Sequence, residues 1–312
     1  MTFWAEGALL MLKLIALILF TLAASPTLAQ TAHSLDQVPG LLKTPEAKRN
    51  FAEQIQGTQA PDGLGVRLPP SLSAEQIIAL LVPASDKTPV SIVRAKPMPG
   101  QVGAYVAIVC TGGFKPGPSD TNQCDQSNIG APRPDMRVYL GLIEAKDGAP
   151  PRLIAKPVKV DEPVNWRDTN LPDAPDTLDD SQTGFLTPDY FTVFDLAAYW
   201  IAPGQRAFGL RGEWNIGYAG GGATYDALYL FAVVDGELKQ VLAIPMSFFK
   251  DIAGDWHKDG TRDHDLTEGA NVLIVTAHST AGHFDLLAKA RDGKSSRLYK
   301  WSPGADRYED AK

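Results

Sequence analysis

Cysteine is scarce in this chain: Cys110 and Cys124 are the only two among 312 residues. That excludes a disulfide-dense scaffold, and a chain of this length buries a core without metal or disulfide staples. An excess of positive charge is also lacking. Lys and Arg number 29 against 36 Asp and Glu, a formal charge of −7. Such a balance argues against a protein that grips a nucleic-acid backbone, so no nucleic-acid partner is expected. Long apolar runs are confined to the N-terminus, and the mature chain is expected to carry no transmembrane anchor. Missing as well are G-x-S-x-G and H-E-x-x-H, and the run Gly217–Gly222 lacks the G-K-[ST] ending of a phosphate cradle, so residue order alone identifies no nucleophile–base pair.

What is present begins with export. Lys13 precedes the apolar stretch Leu14–Ala24, which is followed by Ser25, Pro26 and the small-residue exit Thr27-Leu28-Ala29. This order predicts a signal peptide over residues 1–29, cleaved near Ala29, and a periplasmic or secreted product. Glu6 lies ahead of the pattern, so Met1 and Met11 both stand as possible starts. No cysteine follows the cleavage position, which argues against a lipid-anchored N-terminus. Export to an oxidising compartment gives Cys110 and Cys124 a role as a disulfide closing a 15-residue loop, CTGGFKPGPSDTNQC. Chain entropy assigns such a staple about 3 kcal/mol. A redox pair would want C-x-x-C spacing.

Residues 30–89 read as a short helical preamble. Thr44-Pro45-Glu46 forms one start, with a capping side chain, proline at the first helical position and an acid at the positive dipole end. Ser73 with Gln76 forms another, a capping box ahead of Ile77, Ile78, Leu80 and Leu81. From Val90 the period shortens. Strand-like segments bounded by Gly, Pro and Asp fill a first β region over 90–160 and a second over 189–312. Asp235-Gly236 between two apolar runs predicts a two-residue hairpin turn. Residues 161–188 form an acidic, Pro-rich loop, its acids including Asp161, Glu162, Asp168, Asp173, Asp176, Asp179 and Asp180. It reads as a solvated connector or, more sharply, a flap toward a cationic partner. The fold expected is mainly β, an antiparallel sandwich or partial propeller behind the short N-terminal helical segment.

Two segments suggest chemistry. Gly217–Gly222, flanked by Trp214, Tyr218 and Tyr225, offers an aromatic rim around Gly220, Gly221 and Gly222, against the plainer reading of a close backbone approach with core aromatics. Ala253–Asp265 (AGDWHKDGTRDHD) places Asp255, Asp259, Gly260 and Asp263 near calcium-loop spacing, with His257 replacing one acid and Leu266 standing where the bidentate Glu belongs. Four of the five histidines, His257, His264, His278 and His283, fall close together in sequence and could hold zinc from strands and loops. The aspartate segment is similar to the short Asp-rich calcium loops of FG-GAP-type repeats. Across Gly217–Asp265 the phrases GYAGGGATYDALYLF and AGDWHKDGTRDHD resemble exported β-rich bacterial proteins without assigned activity, a likeness that implies a Gram-negative periplasmic setting for roughly the C-terminal third.

These readings lead to an exported binding or inhibitory protein without catalytic activity, meeting an envelope protein or small ligand through residues 214–225, with no cofactor expected. A rival reading is a metal-assisted hydrolase using zinc or calcium on an envelope substrate. In it the four histidines supply ligands, and Asp255, Asp259 or Asp263 ligates or acts as base. A component of an envelope assembly is the third reading.

Overall fold

The structure, a computed structural model, describes residues 30–56, 62–65, 67–113, 123–125, 136–146, 148–176 and 183–311. The expected leader over residues 1–29, and Asp179 and Asp180 of the acidic segment, lie outside them. Strand β1 (Gln30–Ala32) leads through a 3-10 turn at Leu35–Gln37 into helices α1 (Val38–Leu41), α2 (Pro45–Gln54) and α3 (Ala74–Leu81). Thereafter the elements are strands: β2 (Val90–Pro97), β3 (Ala104–Thr111), β4 (Cys124–Asp125), β5 (Arg137–Glu144), β6 (Arg152–Leu153), β7 (Val158–Val160), β8 (Val164–Asn165) and β9 (Phe185–Leu186). The longest follow: β10 (Tyr190–Ala202), β11 (Gln205–Tyr218), β12 (Gly221–Val234), β13 (Glu237–Trp256), β14 (Arg262–Thr280), β15 (His283–Ala290), β16 (Ser296–Ser302) and β17 (Arg307–Asp310). Among the described residues, strand accounts for 55% and helix for 10%, so the protein is mainly β.

Local chemistry accounts for several boundaries. The Thr44 side chain accepts from the Ala47 N–H with Pro45 opening α2. Ser73 and Gln76 close a reciprocal capping box on α3. Asp235 and Gly236 both adopt positive φ, at 52° and 78°, which is what the two-residue turn joining β12 to β13 demands.

A ten-stranded antiparallel sheet runs β17-β16-β15-β14-β13-β12-β11-β10-β4, with β1 added along β14, and it curls into a half-barrel. A five-stranded sheet comprises β2, β3, β5, β6 and β7. β14 produces part of the curl. Its first half pairs with β13 and β1, and its second half, from Asn271, pairs with β15. One core cluster draws Ile92, Val106, Ile108 and Leu140 from the smaller sheet and Phe208, Leu210, Tyr229 and Phe231 from the larger. Another gathers Leu228, Ile244, Leu286 and Trp301 from the large sheet. α2 covers a third patch, setting Phe51 against Phe249 and Leu266.

Cys110 and Cys124 form the disulfide, their Cα atoms 6.0 Å apart, and both are buried in the core shared by the sheets. The acidic segment is anchored over its described part. Trp166 and Leu171 are buried, Lys250 pairs with Asp173 at 3.5 Å, and Arg307 pairs with Glu162 at 2.7 Å.

Candidate functional site

The segment Ala253–Asp265, expected to approach calcium-loop spacing, is the closed end of the β13–β14 hairpin, and strand order decides which of its side chains meet. Successive residues of a strand face opposite ways. Asp263 and Asp265 therefore share one face, and His264 and Leu266 share the other. β1 lies antiparallel beside this stretch, with Thr31 opposite Asp265 and Ala32 opposite His264. Thr31 Oγ1 donates to Asp265 at 2.7 Å, and the same alternation brings His33 over Asp263. The His33 Nδ1 lies 2.9 Å from Asp263 Oδ1. His257 reaches that oxygen from across the turn, its Nε2 at 2.7 Å. The two imidazoles meet edge to face, 5.9 Å between centroids. Hydrogen bonds from His257 first and His33 second hold the Asp263 carboxyl below its ordinary range.

The turn itself is rigidly specified. His257 N–H donates to Thr261 O at 2.8 Å and Gly260 N–H to His257 O at 3.1 Å. Gly260 sits at φ +85°, a conformation that favours glycine. Asp259 accepts from both the Thr261 N–H (3.0 Å) and hydroxyl (2.7 Å), which turns it back onto its own loop.

Beside the turn is an open groove of about 540 Å³ lined in part by Leu35, Phe51, Ile55, Trp256, Arg262 and His264. Trp256 is 69% exposed, and Leu35 and Ile55 are exposed with it. The Arg262 guanidinium lies over the Trp256 ring, 5.2 Å from its centroid, while its Nε donates to Gly254 O at 2.8 Å. Cation–π contact and hydrogen bond together hold the indole out toward solvent.

The expected site residues thus separate. His257 and Asp263 come together, joined by His33, and these three form the only close group of potential metal ligands among the described residues. Asp255, Asp259, His264, His278 and His283 do not join it, which corrects the wider ligand set. His264 bonds the buried Asp251 at 2.9 Å on the opposite face, and His283 stacks on Trp301 with centroids 3.7 Å apart. Calcium-loop geometry is not realised either, because the segment closes an antiparallel hairpin and Asp259 faces Thr261.

The expected aromatic rim is also corrected. Trp214 and Tyr225 are only 2% and 0% exposed, and with Trp166 they form an edge-to-face nest inside the core. Tyr218 donates its hydroxyl to Asp176 at 2.6 Å. Burial, and then that bond, raise its pKa. The glycines serve close approach. A Cβ on Gly221 would strike the Asp251 carbonyl, and one on Gly220 (φ +93°) would strike Arg262, so Gly220 supports the residue that positions Trp256.

A second group of titratable residues lies deeper on the large sheet. Arg211 reaches Asp195 at 2.6 Å and Asp226 at 2.8 Å, and Tyr199 donates to Asp195 at 3.0 Å. Neighbouring Glu213 accepts from Thr192 Oγ1 at 2.9 Å. Burial foremost, and then the Asp226 charge, push the Glu213 carboxyl up to about 7. Every carboxylate of this group has a protein partner, so it reads as internal support for the sheet. No family model, curated protein or solved structure matches the chain.

Proposed function

We propose that this chain is an exported binding protein of the cell envelope that engages an apolar segment of another envelope protein at the closed end of the β13–β14 hairpin. The observation that carries the reading is the exposed Trp256, propped over an open groove beside Leu35 and Ile55. A large aromatic displayed with neighbouring apolar side chains at a concave surface is the usual anchor of an interface. Export is supported by the leader pattern over residues 1–29 and by the Cys110–Cys124 disulfide, a bond that persists in oxidising compartments. The docking of β1 along β14 brings Leu35 to the groove. The scaffold behind this face is proposed to be an antiparallel sandwich, supported by the core cluster drawn from both sheets.

A photo-reactive amino acid at position 256, introduced into the full chain in exporting cells, tests the reading. Position 200 is the matched control, because Trp200 is also exposed, at 48%. A discrete cross-linked product with an envelope protein from 256 and none from 200 is expected. Products from 200 alone, or none from 256, would refute it.

A further inference from the structure

We propose that His33, His257 and Asp263 form a binding site for a zinc-class divalent cation, which ties the N-terminal strand to the β13–β14 hairpin. The donor set is two imidazole nitrogens and one carboxylate oxygen. That combination suits zinc and its borderline neighbours, whereas calcium and magnesium want several oxygens. The atoms are gathered to the necessary scale. His33 Nδ1 and His257 Nε2 lie 2.9 and 2.7 Å from the same Asp263 oxygen, and all three ligand atoms fall within 4.8 Å of one another. Ligands about 2.0–2.2 Å from a tetrahedral ion stand roughly 3.3 Å apart. To admit the ion, the two nitrogen–oxygen separations open by about half an ångström and the two imidazole nitrogens settle to the same spacing from within 4.8 Å. Each imidazole then presents a lone pair at the nitrogen that otherwise donates to Asp263, and its proton moves to the other ring nitrogen.

The supporting frame is fixed on both sides. The His33 N–H donates to Gln37 Oε1 at 3.2 Å, and the His257 N–H is held by the turn carbonyl of Thr261 at 2.8 Å. Three protein ligands leave a fourth position, and the exposed side of His33 leaves it open to solvent. His33 and Asp263 are 230 residues apart in sequence. An ion here therefore closes a contact that only the docked β1 can make. This inference is independent of the proposed partner, because its ligands are complete without one.

Calorimetric titration of the full mature chain with zinc chloride provides the test. One ion per chain is expected. His33→Ala, His257→Ala and Asp263→Asn should each weaken binding by at least about 100-fold, since even outer-shell partners of metal ligands carry roughly 10- to 100-fold. His278→Ala and His283→Ala should leave it unchanged, and a large excess of calcium should not displace zinc. Circular dichroism of each variant, with His257→Gln as a second substitution at the turn, separates loss of a ligand from loss of fold. Absence of saturable zinc binding would overturn the proposal. Binding that survives His33→Ala but falls in His278→Ala would overturn it too, as would displacement by calcium.

Discussion

The two titratable groups on the large sheet, Arg211 with Asp195, Asp226 and Glu213, and His33 with His257 and Asp263, are built from similar chemistry and used in opposite ways. In the first, strand interiors bury Asp226 and half-bury Arg211, Asp195 and Glu213, and every carboxylate is engaged by Arg211, Tyr199 or Thr192. In the second, a strand end and a turn meet at the surface, and two imidazoles converge on one carboxylate oxygen with solvent beside them. The first group reads as support for the sheet, and the second is the group proposed as a cation site. Support and proposed working face thus lie at separate points of one sheet.

Removing the half-buried Arg211 cation should break this contrast most violently. Arg211→Met leaves Asp195 and Asp226 without their counter-charge, and a loss of about 3–5 kcal/mol is expected in urea unfolding at neutral pH. Retention of full stability would show that the buried carboxylates do not depend on Arg211.

The next effect is a pH dependence. The folded-state pKa of Glu213 is raised from its ordinary 4.5 to about 7, so between those values the folded state holds a proton that the unfolded state has lost. Stability should consequently fall as pH rises from 4.5 toward 7. The side chain keeps some contact with water, so the expected fall is about 2 kcal/mol, less than the whole shift converts to. Glu213→Gln should flatten that part of the profile. An unchanged profile in the variant would assign the effect elsewhere.

Gly220→Ala should cost about 1 kcal/mol through its positive φ and displace Arg262 from the Trp256 ring. The readout is thermal unfolding together with a change in the iodide quenching of tryptophan fluorescence. Smallest in stability are His33→Ala and Trp256→Ala, each expected within about 0.5 kcal/mol of the parent because both side chains are exposed. A large stability loss in either would move these residues from the working face into the scaffold.

Much of the scaffold was legible in residue order because its causes are local. The Ser73–Gln76 capping box and the Asp235-Gly236 turn need only neighbouring residues to act. The lengths of β11 through β14 were harder to read. Gly217–Gly222 and Ala253–Asp265 have loop-like composition, yet pairing with adjacent strands extends the ladder into both, as Gly222 opposite Asp251 illustrates. Alternation carries the signal for this extension. Phe208, Leu210 and Trp214, and likewise Tyr225, Tyr229 and Phe231, continue one apolar face into the core. The role of His33 was not readable at all. It depends on the three-residue strand β1 docking beside β14, a long-range pairing that three residues do not announce.

The most direct test is crystallographic: diffraction from zinc-soaked crystals of the mature chain on both sides of the zinc absorption edge. A single anomalous peak bounded by His33, His257 and Asp263 is the predicted result. Anomalous density confined to His278 or His283, or none at the hairpin end, would contradict the assignment of a cation site to His33, His257 and Asp263.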